Sequence, residues 1–345
     1  KALNDTYEPG STFKILTLAA ALEEGVINKN TTVNCSGFVT ISGQTIHCSN
    51  KAGHGLQTLV QTVGNSCNPA FISYGLKLGN TAFYEYMRSF GLMEGTGIDL
   101  SGVIRAEDCF TTMAFVTLDE TGNRHFSFAR KPGADICLRS DEVNEALIRD
   151  CRVFHFGTLS MTDDPAREAT RYAIRLAKAQ GKGISLDPNL RKPLWPSEAA
   201  AKETIEWSLH QADVVKISDE EIDFLWGISP EEGAQKLLRE YGVSLVYATQ
   251  GPKGCHAANK LGCVTVETPK GIHAVDTTGA GDIFGGSAMS QLLKTGKHPG
   301  ELIAEELKDI VRFACCAASL STQKQGGISS VPEEAEVHAL VNTMA

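Results

Sequence analysis

The chain has 345 residues, of which 42% are hydrophobic and 21% charged, a size and composition typical of a globular protein with two domains. Its 32 basic and 41 acidic residues give a net charge of −9 at pH 7, which disfavours nucleic acid and anionic membrane surfaces as partners. Ten cysteines are too few for a disulfide-dense scaffold, and their scatter fits a reducing compartment for most of the chain. The longest apolar runs, such as Ile15 to Leu22, are too short to span a bilayer.

An apolar helix is predicted from Ile15 to Glu24, between the turn-forming segment Tyr7 to Lys14 and the stop signal Gly25. Ser11 lies at the start of this helix, and a spacing of three residues puts its hydroxyl and the Lys14 amine on one face. A neutral lysine in that position can take the serine proton. An isolated S-x-x-K pattern is more often a capping serine beside a solvated lysine, so this pair alone does not indicate a site.

A second motif, N-S-C-N-P, carries Ser66 and Asn68 in a loop predicted between helices at Leu56 to Val63 and Ala70 to Leu78. The combination of E-P-G-S-T-F-K with N-S-C-N-P-A-F resembles the transpeptidase domain of class B penicillin-binding proteins, over about residues 1–100.

That resemblance implies Ser11 as the acylated nucleophile, Lys14 as its base, and Ser66 with Asn68 as the second catalytic motif. The family's third motif, K-T-G, should lie on a strand that lines the acyl site. Lys294 to Gly296 has these letters but follows a predicted helix and is expected to be the end of that helix. The acyl-transfer site is therefore expected to be incompetent.

Alternating residues between Cys35 and Cys48 predict a β-hairpin, across which the two cysteines could pair if this part were exported. His47, Cys48 and His54 offer metal-binding atoms. They lack C-x-x-C spacing, however, so ordinary hairpin and loop residues are favoured over a metal site.

From about Thr111 the chain alternates short apolar strands with helices, which predicts a mainly parallel sheet covered on both faces. The predicted strands are Met113 to Leu118 and His125 to Phe128 in a hairpin, then Arg152 to Phe156, Gly183 to Asp187, Asp213 to Ile217, Val243 to Ala248, and a hairpin over Cys255 to Val266. The predicted helices are Pro165 to Ala179, Ser197 to His210, Pro230 to Tyr241, and two that begin near Gly281 and Pro299.

The loop D-T-T-G-A-G-D, residues 276–282, leads directly into one of these helices. Gly279, Ala280 and Gly281 leave backbone N–H groups accessible at the helix N-terminus, where they can bind a phosphoryl group as an anion hole. Asp282 follows in the first turn and can take the proton of a hydroxyl held beside that group. The alternative is an aspartate that complements the helix dipole and glycines that turn the chain. No P-loop or G-x-G-x-x-G motif occurs.

The D-T-T-G-A-G-D loop resembles the C-terminal signature of the ribokinase-like (PfkB) sugar kinases, and the resemblance runs from about Gly102 to the end of the chain. Four further stretches agree in order: F-A-R, D-P-N-L-R with P-L-W, S-D-E-E and T-Q-G-P-K-G, of which the second is similar to bacterial fructokinases. The implied site residues are Asp282 as base, Gly279, Ala280 and Gly281 as anion hole, Asn189 and Arg191 at the phosphates or sugar, Glu221 in the Mg²⁺ shell, Thr249, Gly251 and Gly254 at the nucleotide, Arg130 in a sugar lid, and Asp276 with Thr278 at a monovalent cation. No direct protein ligand of a metal is assigned.

The resemblance implies ATP and Mg²⁺ as cofactors, with K⁺ at the monovalent site, and phosphorylation of a small sugar. Fructose is preferred, while 2-keto-3-deoxygluconate or another ketose stays open. The alternatives are a D,D-transpeptidase and nucleotide binding without turnover. The kinase part is expected in the cytoplasm, whereas the transpeptidase-like part is extracytoplasmic in its own family.

Both families fit the hexapeptide Gly97 to Gly102, so the predicted domains are 1–100, a partial transpeptidase domain, and 103–345, a carbohydrate kinase domain without its N-terminal units. The expected fold is α/β: a truncated ribokinase-like three-layer α/β/α sheet with a β-hairpin lid, after a mostly helical transpeptidase fragment. No linker composition marks the seam, which favours a chimera of two gene fragments. An exposed sheet edge is then expected, with low solubility or association, such as a homodimer, through that edge.

Overall fold

The computed structural model describes residues 14–41, 44–89, 101–104, 106, 109, 111–118, 124–130, 133–324, 327 and 330–344. These residues form two compact units, a first unit up to Glu142 and a second unit from Val143 onward. The division falls later in the chain than the family boundary predicted at 100–103. The assignment of residues 1–100 and 103–345 to two families stays a prediction, because compactness does not test it.

The described part of the first unit contains four helices and three antiparallel strand pairs. The helices are α1 (Lys14–Glu23), α2 (Leu59–Gly64), α3 (Asn68–Leu78) and α4 (Asn80–Ser89). The strands are β1 (Thr32–Cys35), β2 (Phe38–Ile41), β3 (Gln44–His47), β4 (Gly55–Thr58), β5 (Met113–Leu118) and β6 (Arg124–Ala129). β1 pairs with β4, β2 with β3 and β5 with β6, so both predicted hairpins are confirmed.

The helix predicted from Leu56 to Val63 is wrong in its first turn. Residues 55–58 pair with β1, and α2 begins only at Leu59. The physical reason is the capping box at Thr58, whose side chain accepts from the Gln61 N–H while the Gln61 side chain accepts from the Thr58 N–H.

The disulfide of the structure does not involve the two cysteines that flank the β2–β3 hairpin. Cys35 and Cys48 are separate buried thiols in the core of the first unit, whereas Cys109 and Cys137 form a disulfide. The hairpin between Cys35 and Cys48 therefore exists without the bond across it.

The second unit is a six-stranded mixed sheet with helices on both faces. Its strands are β7 (Val153–Gly157), β8 (Gly183–Asp187), β9 (Val214–Ser218), β10 (Leu245–Thr249), β11 (Cys255–Asn259) and β12 (Gly262–Val266). Its helices are α5 (Glu145–Asp150), α6 (Ala166–Ala179), α7 (Glu198–Leu209), α8 (Asp219–Trp226), α9 (Pro230–Glu240), α10 (Ala280–Thr295), α11 (Ala304–Ser321) and α12 (Glu334–Val341). The sheet order is β12-β11-β10-β9-β8-β7, with β7 to β10 parallel and the last two strands antiparallel.

Two separate apolar clusters hold the three layers together. α6 to α9 pack on one face around residues such as Ile205, Ile217 and Val246, and α10 and α11 pack on the other around Tyr247 and Phe284. The predicted three-layer α/β/α fold is thus confirmed. Because β7 to β10 are parallel, their carboxyl ends meet at one edge of the sheet, where ligands bind in such folds. Among the described residues, no helix is both long enough and apolar enough to cross a bilayer.

Candidate active site

The D-T-T-G-A-G-D loop forms the N-terminus of α10 in the second unit. Gly279 is the N-cap, with a left-handed φ of +76°, and no side chain caps the helix. The Ala280 N–H donates to the Thr277 carbonyl at 3.3 Å. The next two N–H groups of α10, those of Gly281 and Asp282, have no partner within the helix. The Asp282 side chain lies in this first turn and is exposed. The loop therefore presents backbone donors and a carboxylate side by side.

A lysine that the sequence analysis missed lies directly beside this loop. A Cβ built on Gly281 would be 3.2 Å from the Nζ of Lys216, which extends from β9. Lys216 Nζ donates to Asp187 Oδ2 at 3.0 Å, and the two side chains are only 14% and 10% exposed. A buried positive charge is thus held next to the proposed anion hole.

Burial and neighbouring charges shift the pKa values of both Lys216 and Asp187. Burial raises the pKa of Asp187 to about 6, against the lowering effect of Lys216, and the nearby charges of Glu221 and Asp282 raise it further. Burial opposes the charge of Lys216, but Asp187, Glu221 and Asp282 together raise its pKa. Lys216 is therefore an ammonium at neutral pH, surrounded by three carboxylates.

Glu221 positions the loop that follows β8. Its Oε1 accepts from the Leu190 N–H at 2.7 Å and its Oε2 from the Ser218 N–H at 2.9 Å, which also closes the capping box of α8. In the same loop Asn189 has φ +50° and donates its N–H to Asp187 Oδ1 at 3.2 Å. Glu221 thus holds residues 187–190 against the start of α8.

The other predicted phosphate and cation residues lie around the same strand ends. Arg191 directs a guanidinium N–H to the Leu190 carbonyl at 3.0 Å. Asp276 Oδ1 accepts from the Thr278 N–H at 2.9 Å, and the Asp276 N–H donates to the Thr322 carbonyl at 3.0 Å. The cation role of Asp276 and Thr278 stays a prediction.

The predicted nucleotide loop and the anion hole line one cavity of about 520 Å³. Thr249, Gly251 and Gly254 contribute from one side and Ala280 with Gly281 from the other. The remaining lining is mostly small or apolar: Pro252, Pro269, Ile272, Ala274, Phe284, Cys315 and Ala318, with Thr268, Thr277, Ser319 and Thr322. Small and apolar residues of this kind are typical of the lining of a small-molecule cavity.

The glycine at 254 is required by this geometry. Its φ is +104°, and a Cβ there would lie 2.0 Å from the Val266 carbonyl oxygen. The loop can therefore approach β12 only because residue 254 has no side chain.

Arg130 and the alternative acyl-transfer residues belong to the first unit. Arg130 is buried and pairs with Asp135 at 2.6 Å. Lys14 Nζ donates to Ser66 Oγ at 3.0 Å and to Asn68 Oδ1 at 2.6 Å, and burial lowers the pKa of Lys14. Ser11 lies outside the described residues, so its position relative to Lys14 is not part of this structure.

The tripeptide K-T-G at Lys294 to Gly296 ends a helix. Lys294 and Thr295 are the last residues of α10, and Gly296 is its left-handed C-cap, as the sequence predicted. The structure therefore does not provide at this tripeptide the strand that an acyl site needs.

Comparison with known proteins identifies the family. The model of the pfkB family of carbohydrate kinases matches residues 66–334. The chain belongs to this family. A probable fructokinase-2 from Arabidopsis thaliana is 38% identical over 262 residues, which cover 75% of this chain and 78% of that protein. The pfkB family assignment makes the chain a sugar kinase.

Solved structures agree with the pfkB fold. A fructokinase with bound ATP from Xylella fastidiosa is similar with a TM-score of 0.67 at 29% identity, covering 77% of this chain and 83% of that one. A double mutant of the Vibrio cholerae O395 fructokinase with fructose, ADP and potassium ion bound gives 0.66 at 30% identity, covering 76% and 82%. A penicillin binding protein transpeptidase domain model also matches, over residues 1–110, so the two family matches overlap at 66–110.

The raised pKa of Asp187 predicts a pH-dependent stability. The pKa of Asp187 in the folded chain, about 6, exceeds its usual value of 3.8. Asp187 therefore stabilises the folded chain by at most about 3 kcal/mol below about pH 4, and this stabilisation is lost as the pH rises through about 6. Between these pH values the free energy of unfolding of the wild type should therefore fall relative to that of Asp187→Asn. Urea titrations of both chains test this, and parallel pH profiles would contradict it.

Proposed function

We propose that this chain transfers the γ-phosphoryl group of ATP to a hydroxyl of fructose. The observation that carries the proposal is the convergence of the α10 amides, the Asp282 carboxylate and the Lys216 ammonium beside one nucleotide-sized cavity. The named fructokinases among the similar proteins support fructose as the sugar. An ATP-dependent kinase is expected to act in the cytoplasm, where ATP is available.

In this mechanism Asp282 takes the proton of the sugar hydroxyl, and the oxygen attacks the γ-phosphorus as its bond to the bridging oxygen breaks. ADP leaves with the electron pair of that bond. The N–H groups at the start of α10 and the Lys216 charge stabilise the negative charge that spreads over the transferred group. Both are held in place before the substrate binds, because one is backbone and the other is fixed by Asp187.

The residues present also suit the proposed ions. The site has three carboxylates, those of Asp187, Glu221 and Asp282, beside the one ammonium of Lys216. Carboxylate oxygens are the ligands that Mg²⁺ prefers, and they would bind it directly or through water. Mg²⁺ would neutralise phosphate charge when it enters with ATP. The Asp276 carboxylate is proposed to hold K⁺ together with Thr278, and the potassium ion of the Vibrio cholerae fructokinase supports this.

A coupled assay of ADP release with a panel of sugars tests the proposal. Fructose should give the highest kcat/KM, ahead of ribose, glucose and 2-keto-3-deoxygluconate. ADP release that is equal with and without sugar would reject sugar phosphorylation by this chain, and a higher kcat/KM for another sugar would reject fructose. ATP-dependent thermal stabilisation without any turnover would instead support the nucleotide-binding alternative.

We further propose that residues 1–100 and 103–345 derive from two gene fragments. The order of the two family matches along the chain supports this, with the transpeptidase model at 1–110 and the kinase model extending to 334. An uninterrupted genomic reading frame, together with the matching intact mass from the native source, would overturn it. Among the described residues β7 is one of the two end strands of the sheet, and its outer edge is the proposed surface for association into a homodimer.

A further inference from the structure

Four metal-binding side chains converge in the first unit: Cys35, Cys48, His54 and Cys67. One ligand atom of each lies within 4.8 Å of the other three. Cys48 Sγ is 3.9 Å from Cys67 Sγ and 3.6 Å from His54 Nδ1. The three thiols are at most 3% exposed. We call these four residues the Cys3His cluster.

The separations match the edges of a tetrahedron around zinc. Zn–S bonds of about 2.3 Å and a Zn–N bond of about 2.0–2.1 Å place two sulfurs about 3.8 Å apart and a sulfur and a nitrogen about 3.6 Å apart. The observed 3.9 Å and 3.6 Å agree with both values. We propose that the Cys3His cluster binds one Zn²⁺ as a closed structural site.

The backbone brings the four ligands together from separate elements. Cys35 ends β1, Cys48 follows β3, His54 precedes β4 and Cys67 is the N-cap of α3. The loop between Cys48 and His54 lies against the end of β1, because a Cβ on Gly53 would be only 2.4 Å from the Cys35 carbonyl oxygen. Gly53 has φ +88°, so its lack of a side chain permits both the conformation and the approach. The chain fold itself thus sets the spacing of the ligands.

The ligand types select the metal. Three thiols and an imidazole suit zinc, whereas Mg²⁺ and Ca²⁺ prefer oxygen ligands. A disulfide between Cys35 and Cys48 would remove two of the four ligands, but both are separate thiols here. The sequence interpretation favoured ordinary hairpin and loop residues because it considered only spacing along the chain, whereas the proposal rests on distances in the fold. His47, named there as a candidate, is not a member: it pairs with Phe38 across the hairpin.

Zinc bound to the Cys3His cluster would stabilise the backbone turn from Ser66 to Asn68, which Lys14 contacts. Cys67 lies between Ser66 and Asn68, both of which accept hydrogen bonds from Lys14. Ser66 has a left-handed φ of +47°, a conformation that non-glycine residues adopt only when the surroundings hold them. A metal bound to Cys67 would hold this turn and join it to the two strand pairs.

Metal analysis of the full chain, purified in reducing buffer, tests the proposal. The wild type should contain about one zinc per chain. Cys35→Ser and Cys67→Ser should each weaken zinc binding by more than the roughly 10–100-fold that loss of an outer partner costs. Cys263→Ser is the matched control, because this exposed cysteine lies outside the cluster, and its zinc content should equal that of the wild type.

A second measurement uses the wild type alone, so it tests the proposal even if the cysteine variants fail to fold. Wild-type chain stripped of metal by a chelator and titrated with Co²⁺ should develop the strong visible absorption of a tetrahedral cobalt thiolate centre, and Zn²⁺ should remove it. Metal-free thiols that bind neither ion would overturn the proposal. So would a Cys35–Cys48 disulfide in the native chain, detected by mass under non-reducing conditions, or a zinc content that Cys263→Ser lowers as much as Cys67→Ser does.

Discussion

Asp282→Asn should lower kcat for sugar phosphorylation by roughly 10²–10⁴-fold, the usual loss when a general base is removed. The amide keeps the size of the side chain at the start of α10 but cannot accept the hydroxyl proton. ATP binding should change little, because the cavity that Thr249, Gly254 and Gly281 line does not include Asp282. Single-turnover and steady-state ADP release, with the KM for ATP measured in parallel, give both quantities.

Asp309→Asn is the matched control for this experiment. Asp309 is 66% exposed on α11 and lies outside the proposed site. Its substitution removes the same charge from the chain and should leave kcat unchanged. If Asp282→Asn retains the wild-type kcat, another group takes the proton and the proposed role of Asp282 is wrong, whichever sugar is used.

Lys216→Met should destabilise the fold by about 3–5 kcal/mol at neutral pH, the cost of leaving one partner of a buried ion pair alone. The reason is that Asp187 is only 10% exposed and would face Glu221 and Asp282 without a compensating charge. Protonation of Asp187 can relieve this, so the loss should be smaller at pH 5 than at pH 8. Urea unfolding at the two pH values measures it.

Two further variants separate burial from charge in this test. Lys294→Met breaks a pair with Glu334 in which both side chains are more than half exposed, so it should destabilise the fold far less than Lys216→Met does. The double variant Asp187→Asn with Lys216→Met should recover part of the stability, because no buried charge is then left unpaired at this position. Equal losses for Lys216→Met and Lys294→Met would show that burial of the pair contributes nothing.

The sequence predicted features that depend on neighbouring residues. The Gly-rich start of α10 and the bounds of β8 were both readable, because a bare helix N-terminus and an apolar strand are local patterns. Four helices were missed: α4, α5, α8 and α12. α8 begins at Asp219 with no loop after β9, since Ser218 is both the last strand residue and the N-cap, and α12 is only eight residues long.

Features that depend on the register between distant segments were not predictable. Lys216 meets Asp187 because β8 and β9 run parallel, with Ser185 opposite Val214. The only local signal was a lysine inside the apolar strand V-V-K-I-S, where burial requires a partner. The Cys3His cluster is a stronger case, because its four ligands come from four places in the fold and leave no spacing signature.

The two glycines of the proposed nucleotide loop, Gly251 and Gly254, should differ in how freely homologues replace them. Gly254 cannot carry a side chain without displacing β12, so homologues should keep glycine at this position. Gly251 has φ +52°, and no atom lies within 4 Å of a Cβ built on it. Asn or Asp can adopt this left-handed conformation at small cost. Sequence drift in this loop should therefore be concentrated at 251, and a homologue with a larger residue at 254 would need a rearranged hairpin behind its nucleotide.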